Sequence, residues 1–414
     1  MPLLLNDHTS PLPAAPPDGA VQAFHRRLPG YAPTRLVELP EVVAAACGVG
    51  RVLVKAEVSR LGLPSFKVLG ASWAAYRLLC ARLGRVPEWA TVDDFADVVA
   101  AELGPLRLVA ATDGNHGRAV AHMAALWRLK ATILVPEGTA AARIDGIAGE
   151  GAEVIVVDGT YDDAVAQSAA MASDSDLVVS DTSWPGYEDP PRWVIEGYST
   201  IFAELADQLP AVLSGSGAAA GGAHDLGAEG PAVGPDGPGD GGRAAKGGAD
   251  VDVVFVPVGV GALASAAAVQ LRSGRASEEA PLLVGVEPGT AACVMAAVAA
   301  GEIVEVPGPH RSIMAGLNCG LASPVALPTV TAGFGAFVSV GDESCRRAIR
   351  TLAAHGLDVG ETGAAALAGL ATLTDEGHRA ALSLAPDATV LLLATEGVTD
   401  PVNFEAIVGR PPQT

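Results

Sequence analysis

Basic residues are scarce in this 414-residue chain: 26 Lys and Arg stand against 47 Asp and Glu, a formal net charge of −21. Nucleic-acid grooves and anionic membrane faces are built on Lys/Arg excess, so neither partner is expected. Cysteine is also sparse. The five residues Cys47, Cys80, Cys293, Cys319 and Cys345 include no C-x-x-C pair, which implies a reducing, cytoplasmic compartment and no metal site of the zinc type. No long apolar run is free of turn residues. The uncharged, strongly apolar stretch between Asp252 and Arg272 holds Pro257, Gly259 and Gly261, which suits strand, turn and helix rather than a membrane span. The opening MPLLLNDHTSPLPAAPPDG has no basic n-region, so no secretory signal is expected. What the chain does have is 50% apolar against 18% charged residues, which excludes global disorder. Its length admits one to three domains.

Short β-rich runs alternate with longer helical patterns from Arg51 onward. RVLVKAE (51–57), LRLVAA (106–111), ATILV (131–135), AEVIVV (152–157) and DLVVS (176–180) read as strands, followed by 251–258, 281–287 and 388–395. Helical patterns fill 66–84, 115–129, 192–209 and 343–356. Uninterrupted apolar strands separated by helices predict an α/β fold with parallel sheets covered on both faces. The first 20 or so residues are Pro-rich and read as a loose arm.

Residues 214–249 stand apart, with 13 Gly, 9 Ala and 3 Pro among 36. Such a segment cannot bury enough apolar surface to offset its ordering entropy, so it reads as a disordered surface insertion. A lid over the site is the alternative for so long a loop.

Three constellations can carry chemistry. Lys67, in SFKVLG at a helix start, meets the positive end of the helix dipole; a Lys with its pKa lowered there is a nucleophile for aldehydes. In isolation a solvated surface lysine is the commoner reading of such a residue. Thr112-Asp113-Gly114-Asn115-His116-Gly117 joins a strand to a helix N-terminus, an anion site with Asp113 as a possible base. A simple N-cap and turn is the competing explanation. Gly259-Val260-Gly261-Ala262 follows another strand, where glycines admit a phosphate close to the backbone. The spacing is neither G-x-G-x-x-G nor a Walker motif, which disfavours dinucleotides and P-loop nucleotides.

Taken in order, these three resemble the fold-type II pyridoxal-phosphate enzymes, the class of tryptophan synthase β-subunit and threonine dehydratase. Within it the chain is similar to the diaminopropionate ammonia-lyases, through GLPSFKVLG, TDGNHGRAVA, TSWPGYEDPP with WVIEGY, VGVGALA, VEP, IMAGLNCG, GETGAA and ATEGVTD. These pieces span about residues 50–405. Asp113 is the mark of the subgroup, since common members of the wider class carry Ser there.

The resemblance implies a two-domain enzyme with the cofactor in the interdomain cleft. Residues 1–35 form an arm, 36–69 and 201–414 a large cofactor-binding domain, and 70–200 a small domain. Pyridoxal 5′-phosphate would be held by Lys67 as a Schiff base, by Asn115 at the ring 3-hydroxyl, by Gly259, Val260, Gly261 and Ala262 at the phosphate, and by Thr395 at the pyridine nitrogen. Glu396 and Glu361 compete for a place near the ring, with helix capping as the alternative. Substrate would meet Asp113, Gly114, His116 and Tyr187, although packing is the plain role for His116 and for Tyr187 beside Trp184. The implied reaction eliminates the β-amino group of 2,3-diaminopropionate and yields pyruvate and two ammonia. Lys67 serves as Cα base, and Asp113 as second base or anchor for the β-ammonium group. A carboxylate answers the second ammonium of a diamino acid and nothing in serine or threonine. A serine/threonine dehydratase is the alternative, and a non-catalytic pyridoxal-phosphate or amino-acid binding protein the third reading. Cys293 and Cys319 fall near the implied entrance and are expected as free thiols, with a disulfide the lesser option. A homodimer is also implied.

Overall fold

The computed structural model describes residues 3–14, 19–112, 114–215, 251–276, 279–373 and 376–413. Asp113 and all but the first two residues of the 214–249 insertion lie outside the described residues.

The strands are β1 (Leu3–Leu5), β2 (Leu36–Glu38), β3 (Arg51–Ala56), β4 (Arg107–Ala111), β5 (Lys130–Pro136), β6 (Glu153–Val157), β7 (Asp176–Val178), β8 (Val253–Pro257), β9 (Leu282–Pro288), β10 (Ala336–Val340) and β11 (Thr389–Ala394). They form two sheets. The larger runs β1-β10-β9-β8-β11-β3-β2, and the smaller β6-β5-β4-β7. All pairings are parallel except those of the edge strands β1 and β2. The α/β expectation therefore holds. Every residue of β8, β10 and β11 is buried, as helices on both faces of a parallel sheet require.

Two expectations are corrected. The N-terminal segment is not wholly a loose arm: β1 pairs with β10, and the Asn6 side chain donates to Thr331 O at 2.7 Å and Phe334 O at 2.6 Å. The helix Ala20–His25 buries Phe24 against Trp73 and Tyr76. The helical pattern at 192–209 is two helices, Asp189–Gly197 and Ser199–Leu213, hinged at Tyr198.

The hinge coincides with a close backbone contact. A Cβ on Gly197 would lie 2.4 Å from Leu69 O and 2.7 Å from Gly70 Cα, in the helix Lys67–Leu83. The two helices thus approach closely where only glycine fits, and this fixes the first turn of the helix that carries Lys67.

Candidate functional site

Parallel sheets bind ligands beyond the carboxyl ends of their strands, and here those ends converge. β11 runs into Thr395 and Glu396, β8 into the turn from Val258 to Gly261, β4 into Thr112 and Asn115, and β7 into Asp181. All line one cleft with Lys67.

Lys67 opens the helix Lys67–Leu83, and its Nζ donates to Asp181 Oδ2 at 2.6 Å. Asp181 Oδ1 accepts from Tyr161 Oη at 2.9 Å. Burial alone would raise the Asp181 carboxyl, but the Lys67 ammonium and these hydrogen bonds outweigh it and hold Asp181 well below the usual carboxylate range. His116 Nε2 lies 2.8 Å from Val179 O. A carbonyl only accepts, so this nitrogen carries the proton and Nδ1, which has no partner, keeps its lone pair. Burial lowers the pKa of His116, favouring the neutral ring.

The glycine turn rises from β8 into the helix Ala262–Arg272. Gly261 has φ +103°, a conformation reserved for glycine. A Cβ on Gly259 would come within 3.1 Å of Gly316 O. Free N–H groups at this helix start, with bare backbone before it, form a cradle for an anion.

Opposite the turn, Asn115 Nδ2 donates to Glu396 Oε2, and Glu396 Oε1 accepts from Thr362 N at 2.8 Å. Thr395 is 3% exposed, yet its Oγ1 has no hydrogen-bond partner. A buried hydroxyl without a partner is costly, and this one lines the cleft, where a ligand can complete it.

The cleft gathers Lys67, Asn115, His116, Gly259, Val260, Gly261, Ala262 and Thr395. Gly114 is close by, with φ +146°, and a Cβ there would lie 3.1 Å from Arg143 Cδ. Tyr187 is not brought to the cleft wall. Its hydroxyl donates to Val178 O at 2.7 Å and accepts from Ser180 N at 3.1 Å, while its ring stacks on Trp184 with centroids 4.1 Å apart. Glu361 neither caps a helix nor faces the cleft: it accepts from Asn403 Nδ2 and lies 3.6 Å from Arg143. Burial, and then the Glu396 charge, raise its pKa. None of the five cysteines forms a disulfide.

Sequence reasoning missed Asp181, Tyr161 and Arg143. The signal for Asp181 was present, since it follows the apolar run DLVVS, where a parallel strand delivers its functional side chain.

The family model for pyridoxal-phosphate-dependent enzymes matches residues 27–235 and 244–396. The chain is thus a fold-type II member of that class. The diaminopropionate ammonia-lyase of Escherichia coli K12 is 31% identical over 97% of this chain and 94% of its own length. The holo crystal structure of the Escherichia coli enzyme superposes with a TM-score of 0.82 at 29% identity, covering 98% of this chain and 96% of that one. A second structure of that enzyme, in complex with an aminoacrylate-PLP azomethine reaction intermediate, gives 0.80 at 28% identity, with the same coverage. The chain belongs to the diaminopropionate ammonia-lyase family.

Proposed function

We propose that the protein eliminates ammonia from 2,3-diaminopropionate to give pyruvate and a second ammonia, with pyridoxal 5′-phosphate as cofactor. The observation that carries this reading is the convergence, in one cleft, of the Lys67 amine, the glycine cradle and the unpartnered Thr395 hydroxyl. Those three features fit an aldehyde, a phosphate and a ring nitrogen respectively.

When bound, pyridoxal phosphate supplies an aldehyde that links to amines and an electron sink that acidifies the amino-acid Cα. Lys67 would hold it through Nζ, the backbone N–H groups from Gly259 to Ala262 would bind its phosphate, and Asn115 and Thr395 would fix its ring. A hydroxyl at the pyridine nitrogen favours the unprotonated ring, which suits elimination over transamination. Uncharged, the Lys67 amine would take the Cα proton on one face. Asp113 is assigned to the other face, or to anchoring the β-ammonium group. Asp181 receives the charge of Lys67 when Nζ is protonated, so the proton has a defined resting place. Substrate-contact roles extend to Gly114 and His116, and the neutral His116 Nδ1 is suited to accept from an ammonium. Tyr187 supports the loop rather than touching substrate.

The two sheets correspond in this reading to the large and small domains divided at residues 69/70 and 200/201, working as a cytoplasmic homodimer. Among the described residues no helix is long and apolar enough to cross a membrane.

Purified protein given 2,3-diaminopropionate should release pyruvate, measured beside L-serine and L-threonine. Faster turnover of either hydroxy amino acid would replace this reading with a dehydratase. A cofactor absorbance that no amino acid perturbs would indicate a binding protein.

A further inference from the structure

Tyr198 takes no part in the chemistry described so far, yet its environment is unusual. It hinges the helices Asp189–Gly197 and Ser199–Leu213, and the whole residue is buried. Its hydroxyl is enclosed and has no hydrogen-bond partner. Burying a hydroxyl without a partner forfeits its bonds to water, and nothing about ring packing asks for tyrosine over phenylalanine.

The position of the ring indicates what the hydroxyl serves. It packs against Phe66, centroids 4.7 Å apart. A Cβ on Gly70 would fall 2.6 Å from Tyr198 Cε1 and 2.8 Å from Cζ, the carbon bearing the hydroxyl. Gly70 lies three residues after Lys67, on the same face of the helix Lys67–Leu83. The bare glycine therefore admits the hydroxyl end of the ring onto the helix face that carries Lys67, one turn away. The charges acting on the phenol are those of Lys67 and Asp181. Among the described residues Tyr161 and His116 also face the Lys67–Asp181 pair, and Glu396 and Cys319 line the same cleft.

We propose that Tyr198 is a positioning residue for Lys67, its hydroxyl donating a hydrogen bond to Nζ when that amine is uncharged and has left Asp181. Charged, Lys67 is held by Asp181. Uncharged, it no longer has that attraction, and a nucleophile that must attack an aldehyde and later accept a proton needs a fixed place. Burial holds the phenol well above its ordinary pKa, so it keeps its proton and remains a donor. The donor stabilises the neutral amine, so its loss raises the pH at which Lys67 becomes reactive.

This inference rests on Lys67 being the cofactor lysine, and the test separates the two. Apo-protein and its Tyr198→Phe variant are mixed with pyridoxal phosphate over a pH series, and capture is followed by visible absorbance. Phenylalanine keeps the packing and removes only the unpartnered hydroxyl, so the variant should melt no lower than the parent. The expected result is capture about tenfold slower at neutral pH, with the pH midpoint of the rate displaced upward, the effect of one lost hydrogen bond. kcat should fall by a similar factor with KM unchanged. Capture by the variant at the parental rate and midpoint overturns the role of Tyr198. A parent that captures cofactor but makes no pyruvate defeats the proposed substrate alone, and a parent that captures none defeats both.

Discussion

Lys67 Nζ and Asp181 Oδ2, 114 positions apart in the chain, lie 2.6 Å from each other where the first turn of the helix Lys67–Leu83 meets the segment after β7. The pair ties an element that follows the seven-stranded sheet to one that follows the four-stranded sheet. It also gives the Lys67 amine a buried carboxylate partner in the cleft. A buried carboxylate facing a cation is stable only while both partners are present.

Asp181→Asn should therefore destabilise the protein at neutral pH by about 2–4 kcal/mol, because it leaves Lys67 without its counter-charge. Asp181 titrates below its ordinary value of 3.8 in the folded chain. Its contribution is fully present above that value and is lost as pH falls below it, since the unfolded chain then binds the proton first. Urea midpoints measured over a descending pH series should converge for parent and variant in acid. A constant gap down to the lowest pH would mean that the pair does not set the stability.

The buried Glu287 should act with the opposite sign. It is the middle residue of VEP, next to the last of β9, and its two oxygens accept from Val294 N at 2.9 Å and Met295 N at 2.8 Å at the head of the helix Cys293–Ala300. Burial outweighs those two bonds and pushes its pKa from 4.5 up to about 8. The unfolded chain sheds this proton first, so stability is greatest below pH 4.5 and declines as pH rises toward about 8. Glu287→Gln should lack that decline. The check is the difference in urea midpoint between parent and variant at the two ends of the window. An unchanged difference would place the folded pKa near the ordinary one.

The strands and turns around the cleft were legible because each element carries its own signal. Apolar runs mark β3, β4, β8 and β11, and the residues after them form the lysine, asparagine and glycine motifs. What was illegible depends on contacts between distant segments. β1 and β2 have three residues each, too few for any periodicity, and owe their existence to the edges of the large sheet. The break at Tyr198 follows from Gly197 meeting Leu69, and no local residue announces it. The partner of Lys67 could not be read before the two sheets were placed together. Tyr187, in a conspicuous aromatic motif, instead supports its own loop through Val178 and Ser180.

Thr395 offers the sharpest test of cofactor fit, because its hydroxyl has a cost in the empty protein and a use only in the loaded one. Its Oγ1 is buried at the end of β11 without a partner. Thr395→Val keeps the branched shape and removes the unsatisfied oxygen, so the apo-protein should be as stable as the parent or more stable by up to about 1 kcal/mol. The same change should weaken pyridoxal phosphate binding about five- to tenfold, the worth of one hydrogen bond of roughly 1–1.4 kcal/mol. Thr395→Ser, which retains the hydroxyl, should restore most of the affinity. Melting of the apo-protein and fluorescence titration with the cofactor measure the two effects separately. Equal cofactor affinity in the Val variant would show that the ring nitrogen takes its partner elsewhere, and Glu396, joined to Asn115 across the same cleft, would be the side chain to examine next.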